Sequence, residues 1–107
     1  MKISEKCTVT RRLRCKLPYF DGDLTEEMNL FCTSLYAHAS KYASSDSFPN
    51  GGVYFISYEA RSEKALTLTF HLSLRLSDGT RRSRELVTVW KRGMLRRMNV
   101  KQLYLSR

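Results

Sequence analysis

Few side chains in this sequence are of the types that enzymes use for nucleophilic or acid–base chemistry. The histidines are His38 and His71, and the cysteines, Cys7, Cys15 and Cys32, are scattered. A catalytic nucleophile needs a base beside it and a third group that orients the base, and no spacing in the chain marks such a triad. The paired spacings of zinc sites are missing as well. We therefore expect no enzymatic activity, no metal and no cofactor.

The composition predicts one globular domain over residues 1–107, since 42% of the residues are hydrophobic and 27% are charged. Three cysteines, an odd number, argue against a disulfide framework. We therefore expect free thiols and a cytoplasmic location. No run approaches the ~18 apolar residues that a membrane span requires, so no span is expected.

The formal charge of +9 is concentrated at the two ends of the chain. Residues 1–16 hold six basic residues and one acidic residue, and residues 81–107 hold nine basic and one acidic. The intervening residues 17–80 hold four basic and eight acidic residues. This asymmetry favours an anionic partner, if the secondary structure brings the basic residues onto one surface.

The most regular pattern runs from Ala65 to Leu76, where apolar and polar residues alternate. Successive side chains of a strand point to opposite faces of a sheet, so this segment is predicted to be a long strand with one face in the core. Other strands are predicted at Ile3 to Lys16, Val53 to Glu59, Ser83 to Trp90 and Met94 to Met98. The pattern leaves open whether Val100 to Leu105 is a strand or a helical turn.

One long helix is predicted between the first and second strands. The segment with Pro18 should end the first strand, because proline cannot donate to a ladder. Asp23 is expected to cap the helix, with Glu26 as the capping-box acid, and the apolar residues from Leu24 onward form one stripe. The helix should end near Ala43.

These elements predict an α+β fold, with one long N-terminal helix packed on a coiled antiparallel sheet of about five strands. Their order is β-α-β-β-β-β, and the shape resembles the cystatin-like roll. The lengths of the helix and the long strand match, at ~30 and ~36 Å, which favours a sheet wrapped over the helix.

A set of short segments, in their order along the chain, resembles a known family. These are Leu17 to Gly22, Asn29, Tyr58, Leu66 to Leu68 and Val100 to Tyr104. Together they are similar to the domain of unknown function shared by the anti-sigma factor RsiV and the peptidoglycan deacetylase PdaC. Where that family has Gly-Gly-Ala-His, this chain has residues 77–82, Ser-Asp-Gly-Thr-Arg-Arg. The resemblance implies an α+β accessory domain and nothing more specific.

Asp78-Gly79 predicts a two-residue hairpin turn. Leu68 would then pair with Val89 and Phe70 with Val87 on the core side. This register gathers basic residues on the solvent side, where like charges opposite each other are unfavourable without an anion. The predicted anion or nucleic-acid site consists of His71, Arg75, Arg82, Arg84, Trp90, Lys91 and Arg92. Trp90 would be its stacking platform; the alternative is that the arginines only keep this face solvated.

The same register leaves Leu72, Leu74 and Leu76 opposite Glu85, Ser83 and Arg81, so these leucines would be exposed unless the helix covers them. An exposed apolar patch often marks an interface. A protein partner or homodimer is therefore the leading hypothesis for the partner. The predicted function is a non-catalytic protein-interaction or accessory domain, and the alternative is a single-stranded nucleic-acid-binding module.

Overall fold

The computed structural model describes residues 2–92 and 94–104, with the side chains of residues 2–92 and 94–96. Over this part of the chain the elements are β1 (Lys2–Val9), β2 (Leu13–Asp21), α1 (Glu26–Ala43), β3 (Val53–Ser62), β4 (Leu66–Arg75), β5 (Arg81–Lys91) and β6 (Met94–Tyr104). The strands form one sheet in sequence order. All neighbours are antiparallel except β2 and β3, which are parallel and joined through α1. The α+β fold class is confirmed, with a mixed sheet of six strands.

The predicted first strand is two strands. The chain reverses between Val9 and Leu13, where the Thr10 N–H donates to the Leu13 carbonyl (2.8 Å) and the Leu13 N–H donates to Thr10 Oγ1 (3.0 Å). The turn contains no glycine or proline, and apolar residues occupy odd positions both before and after it. The sequence pattern therefore does not reveal the turn, and a hairpin rather than a single strand precedes the helix.

β2 also continues through Pro18, where the sequence predicted an end. Pro18 lies opposite Glu5. Hydrogen-bonded pairs alternate along an antiparallel ladder, and counting from the Thr10–Leu13 pair places Pro18 at a non-hydrogen-bonded position. Pairing with β3 has already stopped at Cys15 and Ile56. Proline therefore removes no bond from either ladder.

Asn29 of α1 takes the place of a strand partner where β2 has separated from β3. The Phe20 N–H donates to Asn29 Oδ1 (2.9 Å), and Asn29 Nδ2 donates to the Phe20 carbonyl (2.8 Å). Phe20 is only 1% exposed, so without Asn29 both backbone groups would be poorly solvated and unpaired. This pair of bonds fixes the start of α1 against β2.

The helix begins later than predicted, at Glu26, with Thr25 as its N-cap residue. Thr25 Oγ1 donates to the Gly22 carbonyl (3.0 Å), and Leu24 has a positive φ of 61°. Because the bend occupies residues 22–25, Leu24 is 65% exposed and does not belong to the core stripe. The prediction of Asp23 as the cap was wrong.

The helix ends at Ala43, as the sequence predicted. Arg12, in the turn between β1 and β2, donates from its guanidinium to the Ala43 carbonyl (3.1 Å). The same guanidinium lies over the Phe48 ring, 5.5 Å from its centre. A cation at this end of a helix is favourable because the last carbonyls are unpaired and the helix dipole is negative there.

β4 has the alternating burial that the sequence indicated, with Leu68 and Phe70 fully buried. The turn that follows it is longer than predicted. The Leu76 N–H donates to the Thr80 carbonyl (2.8 Å), which leaves a three-residue loop that ends with Gly79 at φ +87°. This is the geometry of a hairpin with a bulge at a left-handed residue.

The longer turn shifts the β4–β5 pairing by one residue. Leu68 lies opposite Thr88 and Phe70 opposite Leu86, so the predicted pairs with Val89 and Val87 were wrong. Asp78 supports the observed turn because its Oδ1 accepts from both the N–H and the hydroxyl of Thr80, at 3.0 and 2.7 Å.

The last strand is longer than predicted, since β6 extends to Tyr104 and includes most of the segment that the sequence left undecided. Gly93, predicted in the preceding turn, and Leu105 lie outside the described residues.

We predict that Asn29→Ala lowers the free energy of unfolding by about 1–3 kcal/mol, because it leaves the N–H and carbonyl of Phe20 without partners. Urea denaturation followed by circular dichroism measures the change. Ser34→Ala on the same helix is the control, since Ser34 is exposed and its loss should change stability by less than about 0.5 kcal/mol. Equal effects of the two substitutions would show that Asn29 does not hold β2.

Candidate anion-binding surfaces

The register of β4 and β5 decides which side of the sheet each arginine occupies. A one-residue shift moves every side chain of a strand to the opposite face. In the observed register Arg82 lies opposite Leu74 and Arg84 opposite Leu72, on the side that packs against α1, here called the helix face. Arg75 lies opposite Arg81 on the other side, called the outer face. The predicted single cluster is therefore divided between two faces.

Trp90 is a core residue, so the prediction of an exposed stacking platform was wrong. It is 2% exposed, and its Nε1–H donates to Thr88 Oγ1 (2.7 Å). The Thr88 hydroxyl in turn donates to the Leu68 carbonyl (3.2 Å). The Phe31 ring of α1 packs edge-on against the indole with 5.7 Å between the ring centres. Trp90 therefore joins the sheet to the helix.

Lys91 is the last residue of β5 and Arg92 follows it, and both line a shallow depression that Asp23 and Glu63 also line. Acidic side chains at the same depression make it a mixed-charge surface. Lys91 and Arg92, which the sequence predicted in the anion site, therefore lie beside acidic side chains.

His71 lies on the outer face between two carboxylates. Its Nε2 is 3.7 Å from Glu59 and its Nδ1 is 3.8 Å from Glu85. The imidazole is thus in contact with negative charge. This position disfavours His71 as a ligand for an anion, although the sequence predicted it in that role.

A different group of residues surrounds Phe55 on the outer face. The guanidinium of Arg75 lies 5.4 Å from the centre of the Phe55 ring, and that of Arg81 lies 5.6 Å from it. Arg14 is the register neighbour of Phe55 on β2. We call Arg14, Phe55, Arg75 and Arg81 the Phe55 cluster.

Of this cluster, only Arg75 was among the predicted site residues. Arg81 could have been found from the sequence by assuming a three-residue turn, which places it opposite Arg75. Phe55 also required the register of β3 with β4. Arg14 needed the parallel pairing of β2 with β3. That contact joins segments about forty residues apart, and no local pattern reveals it.

The three leucines that were predicted to form an exposed interface lie mostly inside the protein. Leu72 is 6% and Leu74 is 9% exposed, and Leu76 is half-buried. The expectation of exposed leucines at 72 and 74 was therefore wrong. Both lie on the helix face, as they would in the predicted register, and there they line a cleft of about 590 Å³ between the C-terminal half of α1 and strands β3 to β5.

The cleft combines an apolar lining with basic and hydroxyl groups. Leu35 and Ala39 of α1 line it together with Leu72, Leu74 and Leu86. Arg82, Arg84, His38, Tyr42 and Tyr54 complete the lining. Burial raises the pKa of Tyr54, and the positive charge of Arg84 opposes that rise.

The thiols of Cys15 and Cys32 are poor nucleophiles. Burial, and secondarily the nearby Cys7, raises the pKa of Cys15 to about 11. Burial, and secondarily Cys15, raises the pKa of Cys32 to about 12. Because the thiolate is the reactive form, both are protonated and unreactive near neutral pH. All three cysteines are free, and only Cys7 is exposed.

Within residues 2–92 and 94–104, no group of three or more His, Cys, Asp or Glu side chains is arranged to hold a metal ion. In the same part of the chain, no helix has the length and apolar character to cross a membrane. No family model, no curated protein and no solved structure matches this sequence. The resemblance to the RsiV and PdaC domain stays a prediction.

Thiol labelling of the native protein at pH 8 should distinguish the cysteines. We expect iodoacetamide to modify Cys7 at the rate of an open thiol, and Cys15 and Cys32 at least about a hundredfold more slowly, because they react only after local opening. Peptide mass spectrometry measures the three rates. In urea the three rates should become equal, and fast native labelling of Cys15 or Cys32 would contradict their burial.

Proposed function

We propose that this chain is a non-catalytic interaction domain that binds single-stranded nucleic acid through the outer face of its sheet. The observation that carries the proposal is the Phe55 cluster, in which two guanidinium groups lie over one half-buried aromatic ring. Single-stranded nucleic acids bind where bases can stack on aromatic or guanidinium planes and phosphates can meet positive charge.

The Phe55 cluster keeps two positive charges close together on an exposed surface. Arg75 and Arg81 lie directly opposite each other and are exposed, and like charges in this position are unfavourable by about 0.2–1 kcal/mol. Each contact with the Phe55 ring returns about 0.5–1 kcal/mol at an exposed site. The ring contacts thus offset the repulsion between the two arginines but do not neutralise their charge. Both cations remain able to bind a phosphate.

The cluster also has a shape that suits a strand of nucleic acid. Arg14, Phe55, Arg75 and Arg81 come from the four neighbouring strands β2 to β5. With strands ~4.8 Å apart, the cluster crosses about 14 Å of the sheet. This width accommodates a few nucleotides, which is at the small end of the site sizes of single-strand binders. The acidic pair around His71 lies farther along β4 and bounds the cluster on that side.

The non-catalytic character in this proposal is supported by the buried, protonated thiols of Cys15 and Cys32. The free thiols also support a cytoplasmic location. The homodimer stays a prediction, because two of the three leucines that motivated it, Leu72 and Leu74, are buried and line the cleft.

Binding of a fluorescently labelled oligothymidylate, followed by anisotropy at low salt, tests the proposal. We expect the double variant Arg75→Gln/Arg81→Gln to bind more weakly and to reduce the slope of log K against log salt by about 1.4, or ~0.7 for each lost phosphate contact. The matched control is Arg82→Gln/Arg84→Gln, which removes the same charge from the helix face. Equal losses in both variants, or no binding by the native protein at low salt, would overturn the proposal.

Phe55→Leu separates stacking from charge. It keeps an apolar side chain and all arginines, so the salt slope should not change. We expect affinity to fall at least about fivefold, since stacking of one base is worth ~1–3 kcal/mol. The same anisotropy titration measures it, with thermal unfolding as the check on folding. An unchanged affinity would show that the ring takes no part in binding.

A further inference from the structure

The cleft on the helix face has features that the Phe55 cluster lacks. It is concave, and five aliphatic side chains line it: Leu35, Ala39, Leu72, Leu74 and Leu86. Its volume of about 590 Å³ falls within the ordinary range of small-molecule sites. A single-stranded nucleic acid lying along the surface would not contact this apolar lining.

The charged groups of the cleft have one sign. Arg82 and Arg84 line it, and no acidic side chain does among the described residues. Neither guanidinium has an ion-pair partner in the part of the chain whose side chains are described. Both are exposed, so their charges are available to a ligand at the mouth of the cleft.

Hydroxyl and imidazole groups stand beside the arginines. Tyr42 and Tyr54 contact each other edge-on, with 5.9 Å between the ring centres, and both line the cleft with His38. Arg84 and Tyr54 both line the cleft, so a cation and a hydroxyl donor border the same space. A carboxylate accepts hydrogen bonds from groups of both types, and charge-assisted bonds are the stronger kind.

We propose that this cleft binds a small amphipathic carboxylate, with its aliphatic chain against the leucines and its carboxylate between Arg82 and Arg84. The ligand is a free monomeric molecule with a chain of medium length. Charge complementarity and the aliphatic lining together select it: an uncharged chain would leave two arginines unpaired, and a short anion would leave the leucines uncovered. This site is independent of the Phe55 cluster.

Calorimetric titration with decanoate below its micelle concentration tests the inference, with acetate and 1-decanol as comparison ligands. We expect saturable binding of one decanoate per chain, no measurable binding of acetate, and 1-decanol at least about tenfold weaker than decanoate. Arg82→Gln/Arg84→Gln should weaken decanoate binding at least about tenfold, since charge-assisted bonds to the carboxylate are lost. Arg75→Gln/Arg81→Gln, with the same change of charge on the outer face, should bind decanoate as the native protein does.

Amide chemical shifts in the ¹⁵N-labelled protein locate the ligand. Decanoate should move the resonances of Leu35, Ala39 and Leu74 and leave those of Phe55 and Ser57 in place. The inference is overturned if the native protein shows no saturable binding up to roughly 1 mM decanoate. It is also overturned if both double variants lose affinity equally or if the shifts lie outside the cleft. Arg82→Gln/Arg84→Gln is the test variant for decanoate and the control for oligothymidylate, and Arg75→Gln/Arg81→Gln has the opposite roles. Failure of one proposal therefore leaves the other testable.

Discussion

The turn between β4 and β5 is the constraint on which the surface of this protein depends. Gly79 takes the positive φ that a three-residue loop needs, and its position has open space where a Cβ would be. A side chain at this position would meet no neighbouring atom, so replacing Gly79 would cost only the strain of the positive φ angle. With a loop of this length, even-numbered residues of β5 face the same side as even-numbered residues of β4. The turn thus sends Trp90 into the core, Arg82 and Arg84 to the helix face and Arg81 to the outer face.

The separation of β2 from β3 is the second determinant of the shape. Their parallel ladder covers only residues 13–15 and 54–56, after which β2 follows α1 and its backbone would lack partners. The Asn29 side chain supplies the partners at Phe20, and the Arg12 guanidinium holds the other end of the helix at Ala43. The helix is thus fixed at both ends by polar contacts with the β1–β2 hairpin. Between these two contacts the helix packs through Phe31, whose ring contacts both Phe70 and Trp90.

The sequence predicted those parts of the fold that depend on local periodicity. The buried face of β4, the end of α1 at Ala43 and the α+β class follow from alternation and from the apolar stripe of the helix. The sequence did not predict the features that depend on the backbone geometry of two or three residues. Thr10 closes the first hairpin by a side-chain bond that no turn signature announces, and the choice between two and three residues at Asp78-Gly79 is not encoded by the Asp-Gly pair alone.

The candidate sites were harder to predict because they depend on register, and an error of one residue exchanges the two faces of a strand. The predicted set therefore mixed residues of both faces with one core residue, Trp90. What the sequence did show was that cations are concentrated in residues 81–84, at the start of β5. The observed register divides them between an open surface with an aromatic ring and an aliphatic cleft. The same kind of charge thus has two different surroundings, and the two proposals follow from this difference. The aromatic ring of the outer face suits an anion that stacks, and the aliphatic lining of the helix face suits an anion that carries an aliphatic chain.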